Sequence, residues 1–233
     1  MGSHIVHSYD EQLEHIANSV VEMGLLVRDL VHIAEKALQD RTTDLVAIAK
    51  ATDKKVNHLD NEIERQATTV LALRQPMAID LRLTISALKI AVIMERMGDL
   101  AKNTVKRATK MHVPPSAETV LKISQMIEII AAMLEETLAA FRERNISKAR
   151  TVSERDGEVD EIYHQLMDEL QQEMTHNVDA IPSIMQVIFA VKNIERIGDY
   201  VSKTAATIYY IISGEKMAKS LKSPKLPIPS EEV

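Results

Sequence analysis

The chain has 233 residues, no cysteine, 3% aromatic residues, 45% apolar residues and a formal net charge of -6. Disulfides, thiolate metal sites and cysteine nucleophiles are thereby excluded, and the acidic balance argues against a broad nucleic-acid footprint. No apolar leader and no run of about 18 apolar residues occurs, since even the greasiest stretch, Ile85 to Met97, is interrupted by Lys89 and Glu95; the expectation is a cytoplasmic protein.

Apolar residues at Leu13, Ile16, Val20, Met23, Val27, Leu30 and Ala34 step by three and four, which predicts an amphipathic helix from about Ser8 to Leu38 with Ser8 or Asp10 as its N-cap. A break near Gln39-Asp40-Arg41-Thr42 leads to a second helix carrying Leu45, Ile48, Val56, Leu59, Ile63 and Val70, and Pro76 ends it. The third, about Ile79 to Met111, is apolar over most of its circumference through Met97 and is expected to be the most buried of its group. Val113-Pro114-Pro115-Ser116 stops it, and Ser116 caps a fourth helix that reaches about Arg144. A fifth spans about Ser147 to His176 and a sixth about Asp179 to Ile212. Pro182 falls in the first turn of the sixth, where its missing N–H is harmless, and Gly214 supplies the stop. Four lysines and three prolines without apolar periodicity make Glu215 to Val233 a solvated tail.

Glu95-Arg96-Met97-Gly98-Asp99 returns one hundred residues later as Glu195-Arg196-Ile197-Gly198-Asp199. A signature written twice on helices implies two copies of one unit. The expected fold is all-α: two pseudo-symmetric antiparallel three-helix bundles over residues 1–113 and 114–214, followed by the tail over 215–233.

Glu and Asp four residues apart lie on one helix face, where like charges repel and something must compensate. The preceding antiparallel helix adds Asp53 and Asn57 in the first half, Asp156 and Asp160 in the second. Facing helices with carboxylates at this spacing place several hard oxygen ligands around a cation, suiting Mg²⁺, Mn²⁺, Ca²⁺ or iron better than a structural zinc. The plainer alternative is a solvated face in which Arg96, Lys102 or Lys106 neutralise the acids across turns. Gly98 and Gly198 each cost roughly 1 kcal/mol relative to Ala inside a helix, which points to a close backbone, a bound ion or close helix packing. Glu161 with His164 and Glu173 with His176 have the spacing of ferritin-like di-metal sites, but both lie on one helix, so that carboxylate-bridged reading stands as a rival and rim histidines are the simpler account. No Gly-rich nucleotide loop, nucleophile elbow or triad is present.

At these residues the chain resembles the PhoU family of bacterial phosphate-signalling proteins, whose mark is a repeated E(D)xxxD motif on a pair of three-helix bundles. The resemblance extends from His7, Asp10 and Met23-Gly24 through Leu73-Arg74-Gln75-Pro76 and Asp80-Leu81-Arg82 to the second signature and Gly214-Glu215. It implies a non-enzymatic negative regulator of phosphate uptake and phosphate-starvation signalling, with the phosphate ABC transporter ATPase and a phosphate-sensing histidine kinase as partners. It also implies a homodimer that meets the membrane only through those partners. A divalent or ferric metal (Fe, Zn, Mg or Mn) is implied as well, on Glu95 and Asp99 with help from Asp60 or Asn57, and on Glu195 and Asp199 with Asp156 and Asp160. Two positions depart from the family pattern. Asn57 stands where an Asp is usual, and Lys203, in the place of Asn103, sets an ammonium one turn after Asp199 that could neutralise the second cluster; metal occupancy is therefore expected to be partial or conditional. Arg74, Arg82 and Arg196 are the expected meeting points for acidic partner segments.

Overall fold

Each apolar stripe in the sequence becomes the buried side of a helix. In a computed structural model, which describes residues 2–40 and 44–218 and side chains from residue 9 onward, the elements are α1 (Gly2–Asp40), α2 (Asp44–Arg74), α3 (Ala78–Ala108), α4 (Ala117–Glu143), α5 (Ile146–Glu154), α6 (Asp156–His176) and α7 (Ile181–Ser213). A short 3₁₀ turn, Val178–Ala180, precedes α7. Among the described residues there is no strand. The tail expected over 215–233 lies outside the described residues beyond 218, as do Arg41 and Thr42 of the first connection.

Local signals placed most helix ends. Ser116 Oγ accepts the Thr119 N–H at 3.1 Å and caps α4. Pro182 sits in the first turn of α7, and Gly214, at φ +77°, closes that helix by donating its N–H to the Tyr210 carbonyl. Asn145 caps α5 through the Lys148 N–H at 3.2 Å.

Three expectations need correction. α1 does not start at a cap on Ser8 or Asp10: its backbone is helical back to Gly2, since no proline interrupts Gly2–Asp10. The single fifth helix is broken at Arg155, whose N–H turns tightly onto the Val152 carbonyl while Glu158 N–H returns to the Arg155 carbonyl. These i−3 bonds are 3₁₀ geometry and redirect the chain into α6. Finally, α3 is not the most buried of the first three helices: α1 is buried as deeply along its described side chains, and α3 keeps an outward stripe of Leu81, Ile85, Lys89, Val92 and Arg96.

α1, α2 and α3 pack on one another, α4, α5 and α6 pack on α7, and α3 lies against α7 along its length. α3 and α7 run antiparallel: Arg82 Nε donates to the Ile211 carbonyl at 3.1 Å at one end, and Asn193 Nδ2 to Thr104 Oγ1 at 3.4 Å toward the other. α1 meets α4 through Arg28 and Glu135 at 2.8 Å and Gln39 and Ser124 at 3.2 Å. One apolar cluster, including Met23, Leu30, Met94, Met97, Ile130, Ile194 and Ile197, spans the whole body. At about 1.5–3 kcal/mol for each fully buried aliphatic side chain, this cluster holds the two signatures at the middle of their helices.

Candidate functional site

The first signature faces α2. There Asp53 is buried, Asn57 and Asp60 are half-buried, and α3 contributes Glu95, Asp99 and Lys102. The Lys102 ammonium stands between two carboxylates, 2.6 Å from Asp53 Oδ2 and 2.5 Å from Asp99 Oδ1. Burial opposes its charge, yet the hydrogen bonds to Asp53 and Asp99 outweigh burial and raise its pKa above the ordinary lysine value. Glu95 responds in the opposite sense. Burial first, then the neighbouring charges of Asp99, Asp60 and Asp53, push its carboxyl above the usual range, with only Lys102 pulling back. Asp60 is raised too, by burial and by Glu64. Asp53 Oδ1 and Asn57 Oδ1 are buried and accept no hydrogen bond.

The glycine of each signature lies at a close helix contact that would still admit a Cβ at ordinary van der Waals distance. A Cβ on Gly98 would touch Leu30 Cδ1 at 3.4 Å and Val56 Cγ1 at 3.5 Å; one on Gly198 would touch Ile130 Cγ1 at 3.4 Å and Val159 Cγ1 at 3.5 Å. The two halves repeat the same fit of a valine from the preceding helix and an aliphatic residue from the first helix of the half against the glycine. The neighbours of both glycines are side chains of the facing helices, and no backbone of another element lies among the nearest atoms.

The second signature differs in its cations. Asp156, the counterpart of Asp53, is buried in the first turn of α6, and Asp160, Glu195 and Asp199 are half-buried around it. All four acids engage neighbours. The residue equivalent to Lys102 is Ser202, whose buried Oγ has no partner. Lys203 does not plug this cluster: its side chain is 56% exposed, its Nζ is 3.8 Å from Asp199 Oδ2, and it lies 4.7 Å over the Tyr200 ring. Lys102 thus gives the first half an internal ammonium at a position where the second half has Ser202. Its sequence signal is a lysine one turn after Asp99 on a face shared with α2.

The oxygen donors suit a hard cation by type. In their arrangement the first cluster does not fit one, because an ammonium already occupies the position between Asp53 and Asp99. Among the described residues, no group of three or more His, Asp or Glu side chains gathers closely enough to hold a metal ion. His164 and His176 are exposed, and His164 rests edge-on to Tyr163 with ring centroids 5.4 Å apart. The three arginines expected to meet partners also separate. Arg74 donates to Gln12 at 2.9 Å and Arg82 is tied to α7. Only Arg196 stands outward; it and Arg96, which the sequence offered only as a counter-charge for the acids, lie near the Tyr200 hydroxyl and, against the effect of burial, lower its pKa.

No helix among the described residues is long and apolar enough to cross a membrane. A family model described as the PhoU domain matches residues 20–108 and 123–208. The chain is 35% identical over 232 residues to a phosphate-specific transport system accessory protein PhoU homolog of Caulobacter vibrioides, covering 99% of this chain and 100% of that protein. It is 33% identical to a protein of the same description from Rhizobium meliloti, covering 91% and 90%. The crystal structure of PhoU from Pseudomonas aeruginosa superposes with a TM-score of 0.84 at 30% identity, covering 89% of this chain and 100% of that one.

Proposed function

The chain belongs to the PhoU family, and from that premise we propose that it is a non-enzymatic regulator of phosphate transport that restrains phosphate uptake and keeps starvation signalling off when phosphate is plentiful. It acts by binding the ATPase of the phosphate ABC transporter and the cytoplasmic part of the phosphate-sensing histidine kinase. In this reading it is a cytoplasmic homodimer and approaches the membrane only through those partners. The observation that carries the proposal is the likeness over nearly the whole chain to accessory proteins of the phosphate-specific transport system. A second support is chemical. The most charged interior site of the first half is a neutralised frame, Asp53, Lys102 and Asp99, which suits a rigid binding body better than a reaction centre.

Of the two acidic clusters the second, Asp156, Asp160, Glu195 and Asp199, is the better candidate for iron, zinc, magnesium or manganese, because Ser202 there replaces the ammonium, and these side chains would have to draw together around the ion to hold it. Deleting the gene should raise a phosphate-regulated reporter in phosphate-rich medium, and the wild-type chain should silence it again. An unchanged reporter in the deletion strain would overturn the proposal.

A further inference from the structure

The outward faces of α3 and α7 form a strip unlike the rest of this acidic molecule. α3 presents Leu81, Ile85, Lys89, Val92 and Arg96; α7 presents Phe189, Lys192, Arg196, Lys203 and Tyr210, all exposed. Among the described residues, Lys89, Arg96, Lys192 and Arg196 make no ion pair with a carboxylate. Antiparallel packing gathers the side chains of the two helices. At the centre the Arg96 and Arg196 guanidiniums converge on the Tyr200 hydroxyl; beyond it the Arg107 guanidinium caps the Phe189 ring at 4.6 Å. Ile85 and Val92, half-exposed at 52% and 47%, supply apolar area on the same strip.

Its borders are as informative as its centre. On the α2 side the strip ends at Glu95 and Asp99, whose charges act on α2 acids or on Lys102; on the α6 side it ends at Glu195 and Asp199, with Glu195 acting on Tyr163. The cationic and apolar surface is therefore about two helices wide, with a negative bank on each side. Packed helices lie about 8–10 Å apart, so the groove between α3 and α7 seats one further helix, which is about 10–12 Å across with its side chains.

We propose that this strip docks a single amphipathic helix of a partner protein, with acidic residues that meet Arg96 and Arg196 and apolar residues that cover Val92 and Phe189. The proposal rests on the reading of this chain as a partner-binding regulator and names the surface involved. Charge complementarity selects the occupant. An anionic membrane or a nucleic acid broad enough to cover the strip would also press on both acidic banks. A second copy bound face to face would set arginine against arginine, since a twofold contact joins identical patches. Arg, Tyr and Phe are also the residue types that anchor protein interfaces.

The test is binding of the purified chain to the transporter ATPase and to the cytoplasmic part of the sensor kinase, measured at low and raised salt. The Arg96→Glu/Arg196→Glu and Val92→Asp variants are compared with Lys50→Glu, an exposed change on α2. Circular dichroism and a melting curve establish that each is folded. The proposal predicts that the arginine double variant weakens binding to at least one partner by about 30-fold or more, that Val92→Asp weakens it too, and that raised salt weakens the wild type while Lys50→Glu does nothing. Wild-type binding that the double variant retains, or loses no more than Lys50→Glu does, overturns the strip and leaves the regulatory reading standing. A wild type that binds neither protein overturns both. Loss of self-association in the double variant assigns the strip to a second copy, and loss of binding to anionic vesicles assigns it to a membrane; either result also refutes the proposal.

Discussion

Replacing Lys102 by Met keeps the length and apolar stem of the side chain and deletes only the charge between Asp53 and Asp99. The Asp53 side chain is 9% exposed and the Lys102 side chain 15%, so this is a buried pair. Removing one member of such a pair costs about 3–5 kcal/mol, because the other charge stays buried without compensation. Asp53 is poorly placed to absorb the loss, since its Oδ1 already lacks a partner. The Asp99 side chain is 47% exposed and, like most wet ion pairs, adds only about 0–1 kcal/mol. Lys102→Met should therefore destabilise the protein by about 3 kcal/mol, a large share of a typical total of about 5–15 kcal/mol. Urea unfolding followed by circular dichroism measures this. The same measurement on Asp53→Asn and on the double variant completes a thermodynamic cycle, in which the coupling should reach about 2 kcal/mol. The raised lysine pKa fixes the pH dependence: its contribution is complete below the unfolded value of about 10.4 and is lost as pH rises through the higher folded value, so wild type and variant should converge only in strong alkali. A cost below about 1 kcal/mol, or single effects that simply add, would refute the claim that this ammonium holds the cluster.

Gly98→Ala should be neutral or mildly stabilising in a thermal melt, because its Cβ meets Leu30 at 3.4 Å and Ala is the better helix former by roughly 1 kcal/mol. Gly24→Ala should be destabilising, because its Cβ would come within 2.5 Å of Leu138 in the core. Glu95→Gln should stabilise the protein at neutral pH. The folded state raises this carboxyl's pKa, so its ionisation opposes folding as pH climbs above the unfolded value, and the advantage of the variant should vanish in acid where both states are protonated. Elemental analysis of protein purified without chelator or metal-affinity chromatography should find at most one metal per chain, lowered by Asp156→Asn or Asp199→Asn and unaffected by Asp53→Asn; two equivalents would overturn the assignment to the second half.

What the sequence made legible was what depends on neighbours along the chain. Ser116, Pro182 and Gly214 act through their own backbone or a residue a turn away, and each ended or began a helix as its chemistry requires. The break at Arg155 carries no proline, and the tight bonds that make it are a backbone choice allowed to many residue types. The acidic signature was plain and Lys102 stood among its candidate counter-charges, but which cation reaches across to α2 was not legible. Lys102 and Lys203 both lie within a turn of an Asp of their signature, and only packing decides that one ammonium also reaches the preceding helix while the other turns over a tyrosine ring. The outward stripe on α3 was hidden for a similar reason: a helix apolar on most sides reads as interior, whereas Ile85 and Val92 face out.

The break at Arg155 also bears on how a duplicated protein tolerates unlike halves. Asp53 lies in the middle of a continuous helix and has Lys102 for its counter-charge. Asp156 opens a new helix, and the first turn of a helix carries about half a positive elementary charge from its aligned peptide dipoles. One half thus sets a lysine beside its buried carboxylate, and the other adds the start of a helix to the contacts its buried carboxylate makes. The kink thereby gives two clusters with one signature unlike electrostatic surroundings, a helix interior around Asp53 and a helix start around Asp156.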